Sequence, residues 1–137
     1  MKEQDNFQVW LMKIDDELDH FFGKIPTELS SKLDYTINSL IEIEGFMLSE
    51  FKSIEELLSN KVIHNQIAIY IGETFRKNLN ALWKIKKDDP KFAFYGLPII
   101  VEPDTQNTLI CPLTLATTAI DRNKGDFLHQ ILTNLLK

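Results

Sequence analysis

Five residues of this chain have types and spacing suited to chemistry: Tyr70, Gly72, Glu73, Arg76 and Trp83. A carboxylate and a guanidinium three residues apart on a helix can reach each other and form a charge-assisted pair. A glycine beside them removes a side chain and lets a backbone or a ligand approach. Tyr70 adds a hydroxyl about one turn before Glu73. Such a centre can clamp an anion on Arg76 while Glu73 acts as base or acceptor. The same residues also suit a structural role. A surface ion pair contributes little, a buried one fixes how helices pack, and Tyr70 serves equally as a core ring with its hydroxyl at the boundary.

The element that must position them runs from Val62 to Trp83. Its apolar residues Ile63, Ile67, Ile71, Phe75 and Leu79 recur every four positions, which keeps them on one side of an α-helix. Asn60 is placed to begin that helix, and Ile67, Ile71 and Phe75 are expected to be almost fully buried. At Ala81 the period changes. Leu82 to Lys86 alternates as a strand does, with Trp83 and Ile85 turned toward the helix. Leu97 to Glu102 forms a second strand, and Pro98, lacking a donor, belongs at its start or on an edge. A turn over Pro103–Asn107 leads to a third strand, Thr108 to Cys111. Strand, turn and strand in succession point to an antiparallel meander.

Helices are expected on either side. Asp5 or Asn6 is placed to cap a first helix that carries Phe7, Trp10, Leu11, Ile14, Leu18, Phe21 and Phe22 and stops at Gly23. After a turn near Thr27, a second helix reaches Phe51. Gly45 inside it costs about 1 kcal/mol relative to alanine, a cost that tight packing against a neighbour would offset. Ser53 and Glu56 form a capping-box pattern for a short helix. Pro112 suits the first turn of another helix, Asn123–Gly125 breaks it, and Phe127 to Leu136 forms the last. The class is α+β. Residues 1–137 are read as a single domain, with helices around a small three-stranded antiparallel sheet packed on a long central helix.

Composition narrows the function. The chain has 137 residues, is 44% hydrophobic and 26% charged, and carries a formal charge of −5. An acidic balance argues against a nucleic-acid partner, which needs a concentrated positive face. Lys84, Lys86 and Lys87 are the one dense basic cluster, and Asp88 and Asp89 follow at once. A single cysteine, Cys111, cannot form an internal disulfide and fits a reducing, cytoplasmic setting. No apolar run suits a signal peptide or a membrane span. The three histidines lack metal-ligand spacing. There is also no glycine-rich phosphate loop, Gly-x-Ser-x-Gly or HExxH. No metal and no cofactor is expected. Cys111, before a helix start, reads either as a reactive thiol or as a small buried hydrophobe. Thr114, Thr117 and Thr118 either line a cleft or bond back to their own helix.

The acidic run Asp15, Asp16, Glu17 and Asp19 is the candidate surface for a basic partner, although such a run is usually a helix's solvated face. The combination LDYTINSL, YIGETFRKNLNALW, a proline-bearing strand and CPLTLATTAIDR resembles small uncharacterised bacterial proteins. These carry a Tyr-x-Gly-Glu-x-x-Arg helix followed by a tryptophan that opens a strand. In this chain the pattern falls on Tyr70, Gly72, Glu73, Arg76 and Trp83. Some small acidic proteins of this kind look like immunity or accessory proteins, so the resemblance implies protein binding rather than a reaction. The leading expectation is a non-enzymatic, cytoplasmic, immunity-like or accessory protein that binds a basic partner such as a toxin. The alternative is a small-molecule binder or small enzyme centred on Glu73 and Arg76. A homodimer through an apolar helix face is a third reading.

Overall fold

The computed structural model describes residues 2–137, with side chains from Asn6 onward. Eight helices surround one small sheet: α1 (Lys2–Met12), α2 (Ile14–Lys24), α3 (Thr27–Ser30), α4 (Ser39–Glu50), α5 (Ile54–Leu58), α6 (Lys61–Leu79), α7 (Pro112–Arg122) and α8 (Phe127–Leu136), with β1 (Leu82–Lys84), β2 (Ile99–Val101) and β3 (Thr108–Ile110) between α6 and α7. The strands pair antiparallel in the order β1-β2-β3. The fold is α+β, as the periodicities predict.

Helix α6 is the spine. Asn60 caps it, its side chain accepting from the Ile63 N–H at 3.3 Å. Asn80 ends it in the left-handed conformation, φ 53°, a frequent C-terminal device. Ile67, Ile71 and Phe75 are fully buried, as expected. Burial goes further than one stripe, however: every residue from Gln66 to Phe75 is buried. Helices α2 and α7 and the sheet all pack against this stretch, so even its polar positions lie inside.

The sheet presents two faces. Trp83 and Ile100 stand opposite each other across β1 and β2, and both pack in the core that includes α6. Ile99 and Val101 point the other way, as alternation requires. They form a second small cluster with Cys111, covered by Phe92, Phe94, Leu97 and Leu113. The connection between β1 and β2 is thus a lid for the sheet's outer face. Pro98 stands just before β2, where its missing donor breaks no ladder bond.

Several expectations need correction. The first helix is two. Lys13 is a turn residue between α1 and α2 (φ −93°, ψ 0°), so the single apolar stripe is divided. Trp10 turns to Asn65 and Trp83, while Ile14, Leu18 and Phe21 enter the core. Helix α1 begins at Lys2, so Asn6 lies within it rather than at its cap; the Asp5 side chain lies outside the described residues. Gly23 does not stop α2, which runs to Lys24 and ends where Ile25, before Pro26, is extended (φ −105°, ψ 162°). The steric demand of proline on its predecessor ends the helix. Gly45 is exposed, and a Cβ there would meet nothing within 4 Å. Tight packing therefore does not explain it.

Candidate functional site

Four of the five residues of the Tyr70–Trp83 pattern come together: Gly72, Glu73, Arg76 and Trp83. Arg76 donates two hydrogen bonds to the Glu73 carboxylate, Nε to Oε2 at 2.8 Å and Nη2 to Oε1 at 3.0 Å. Trp83 Nε1 donates to the same Oε2 at 2.7 Å. Glu73 is buried, at 7% exposure, while the Arg76 side chain keeps 33%. Burial alone would push the Glu73 carboxyl up. The bonds from Arg76 and Trp83, with the charges of Arg76 and Lys77, outweigh it and hold the group below the usual carboxylate range.

Gly72 explains the close approach. A Cβ at this position would overlap ring carbons Cη2 and Cζ2 of Trp83. The space freed by the glycine is therefore filled by the indole. Trp83 packs this close to α6 only because residue 72 has no side chain, and Glu73 then fixes the ring through its N–H. The geometry gives Gly72, Glu73 and Arg76 the job of seating a tryptophan.

Tyr70 serves a different neighbour. It is fully buried. Its hydroxyl donates to Ser39 Oγ at 2.6 Å and accepts from the Tyr35 N–H at 3.1 Å. Burial pushes the phenol up, against the opposing pull of those two bonds and the Thr74 hydroxyl. Tyr35 itself was missed in the sequence. Its φ is 66°, a conformation rare for a bulky residue. Asn78 Nδ2 donates to its carbonyl at 2.9 Å, its ring stacks on Tyr70 at 5.0 Å, and Lys77 Nζ lies 5.1 Å above its centroid. The signal was thin: a tyrosine between Asp34, which holds Thr36 through an Asx-type turn, and a helix start.

The α2 acids are divided by the fold. Asp15, Asp16 and Asp19 are exposed, whereas Glu17 is half-buried and accepts from Gln66 Nε2 at 2.9 Å. Asp15, Asp16 and Glu17 also occupy the first turn of α2, where negative charge complements the helix dipole. Asp15 and Asp19 reach the Tyr35 phenol electrostatically. Burial first, then Tyr70, Glu73, Asp15 and Asp19, push it up to about 12. Two of the α2 acids thus act on the same phenol as Tyr70 and Glu73.

A second carboxylate escaped notice. Glu44 is fully buried. Its Oε2 accepts from the Gly125 and Phe127 N–H groups at 2.9 and 3.1 Å, and its Oε1 from the Leu128 N–H at 2.8 Å. Asp126, the N-cap residue of α8, makes no side-chain cap bond. Glu44 caps that helix from across the molecule. The pattern held a clue: Leu40, Ile43 and Met47 define a buried stripe, and position 44 lies within it.

Other candidates resolve simply. Cys111 is buried; its thiol donates to the Pro98 carbonyl at 3.9 Å and accepts from Thr114 Oγ1 at 3.5 Å. Thr117 and Thr118 donate back to the Thr114 carbonyl. Among the described residues no three metal-ligating side chains cluster, and no helix is long and apolar enough to cross a membrane. No family model matches the chain, and no curated protein or solved structure matches it either. The resemblance of the Tyr70–Trp83 pattern therefore brings no activity with it.

Proposed function

We propose that the chain is a non-enzymatic, cytoplasmic, immunity-like or accessory protein whose Tyr35–α2 face holds a basic protein partner. One observation carries the reading. A half-exposed tyrosine is fixed at φ 66° by Tyr70 and Asn78, within electrostatic reach of the exposed carboxylates of Asp15 and Asp19. A rigid aromatic anchor loses little entropy on binding. Exposed carboxylates speed encounter with a positive partner and penalise a negative one. The Glu73 oxygens already accept from Arg76 and Trp83, which favours this reading over a reaction at Glu73.

The test compares wild-type protein with the triple variant Asp15→Lys, Asp16→Lys, Asp19→Lys as bait in lysate from the native cell. The expected result is a basic protein retained at low salt by wild type only and released as salt rises. Identical captures by both baits, or none by either, would sink the proposal.

A further inference from the structure

We infer that the depression between the start of α4, the end of α6 and α8 binds a small neutral ring that carries a carboxamide. It shares Tyr35 with the α2 partner reading but does not rest on that reading. The depression measures about 540 Å³, within the range of small-molecule sites, about 300–1,000 Å³. Tyr35 and Ile37 give it apolar surface, while Asn38, Asn78, His129 and Thr133 bring polar groups from three elements.

Those four polar residues stand apart by what they leave unused. Asn78 Nδ2 donates to two carbonyls, of Tyr35 at 2.9 Å and of Thr74 at 2.7 Å. Both amide protons are thereby committed, the carboxamide's orientation is set, and Oδ1 remains as an acceptor. Asn38 stands at the N-cap position of α4, yet its side chain makes no cap bond. The Ser39 N–H is instead accepted by Thr36 Oγ1 at 3.3 Å. His129 and Thr133 are half-buried and lie one turn apart on one face of α8. A helical threonine often bonds back to its own helix. Thr74 does so to the Tyr70 carbonyl and Thr118 to the Thr114 carbonyl, each at 2.9 Å. Thr133 makes no such bond, and the His129 ring has no partner among the described residues.

The wall is set before any ligand arrives. Tyr35 is held at φ 66° by the Tyr70 hydroxyl and the Asn78 amide, and the Thr36 hydroxyl donates to Asp34 Oδ1 at 2.6 Å. Little ordering is left for binding to impose. The lining then selects the ligand. It contains no acid, lysine or arginine, so a ligand charge drawn from water finds no countercharge there. Asn38 and Thr133 offer donors, Asn78 Oδ1 an acceptor, and an imidazole one of each. A carboxamide answers both needs, accepting through its oxygen and donating through its nitrogen. A flat ring attached to it covers Tyr35 and Ile37 by apolar burial.

The full chain is titrated with neutral nicotinamide, anionic nicotinate and cationic 3-(aminomethyl)pyridine. The Cε1–H signals of the three histidines are followed by NMR, that of His129 being assigned by its loss in His129→Gln. The expected result is a saturable shift of the His129 signal by nicotinamide, with His20 and His64 unmoved. Both charged probes should bind about tenfold more weakly or worse. Asn38→Ala and Thr133→Val each remove an uncommitted group and should weaken nicotinamide about threefold to tenfold. Should one variant lose the dispersed indole signals of the folded chain, the other decides. The triple α2 variant should bind nicotinamide as the wild type does, so this proposal and the α2 reading stand or fall separately. Absence of a saturable His129 shift with nicotinamide overturns the proposal. So does a charged probe binding as tightly, or indifference of nicotinamide to the folded variants.

Discussion

Two helices of this protein carry glycine next to glutamate, and the two pairs behave differently. On α6, Gly72 and Glu73 are both buried and both serve Trp83, ten positions further on. On α4, Glu44 is buried and Gly45 faces water. Glu73 is satisfied by side chains, and its partners lie within the same helix and the strand that follows. Glu44 is satisfied by three backbone N–H groups more than eighty positions away. The lesson concerns direction. A residue's type does not tell whether its helix turns it inward; that depends on which neighbour arrives and what that neighbour lacks. Helix α8 lacks acceptors for its first N–H groups, and Glu44 supplies them.

The strongest way to break this comparison is to remove the longer-range carboxylate. Glu44→Ala should cost about 3 to 5 kcal/mol, because three backbone donors lose their acceptor in a buried place. Urea unfolding measures it, and a loss under about 1 kcal/mol would show that α8 caps itself. Glu44→Gln, which keeps one oxygen, should lie between. Next comes the glycine under the indole. Gly72→Ala should cost about 1 to 3 kcal/mol by overpacking, and the Trp83 indole N–H signal should move as the ring is lifted. A neutral result would mean that Trp83 is not seated on α6.

Acid sharpens the comparison further. The folded Glu73 carboxyl lies below its ordinary value of 4.5. A depressed value means the unfolded chain binds the proton more readily. The stabilisation is therefore fully present above pH 4.5 and is lost as pH falls through the lower folded value. Stability curves of wild type and Glu73→Gln should converge as pH falls below that point. Curves that stay parallel would refute the ionised pair. The smallest effect has the opposite sign. Gly45→Ala should stabilise by about 0.5 to 1 kcal/mol, since α4 is helical there and open around the missing Cβ. A destabilised variant would mean that Gly45 meets a partner in solution.

Local pattern made much of this architecture legible. The four-residue spacing from Ile63 to Leu79 marked α6, Asn60 marked its start, and the change of period at Ala81 marked β1. Ser53 and Glu56 marked the α5 cap, where the Glu56 N–H donates to Ser53 Oγ at 3.3 Å. Glu73–Arg76 was legible because both partners sit on one helix. The division at Lys13 was not, because the residues on either side make one continuous stripe in sequence, and only the fold takes Trp10 to Asn65 and Trp83. Tyr35 was hidden because its conformation is imposed by Tyr70 and Asn78, which lie in another element. The α2 acids looked alike until the fold tied Glu17 to Gln66 and left its neighbours in water.

The sequence by itself determined the class of the fold, most of the run of its elements and the central helix, because periodicity, caps and prolines act over a few residues. Only the tertiary structure decided what the polar groups are for. It filled the room beside Gly72 with an indole, turned Glu44 into a cap, and brought Asp15 and Asp19 within electrostatic reach of Tyr35. Those outcomes depend on contacts between segments distant in the chain. A buried donor or acceptor takes whichever partner the packing of the apolar faces brings within reach.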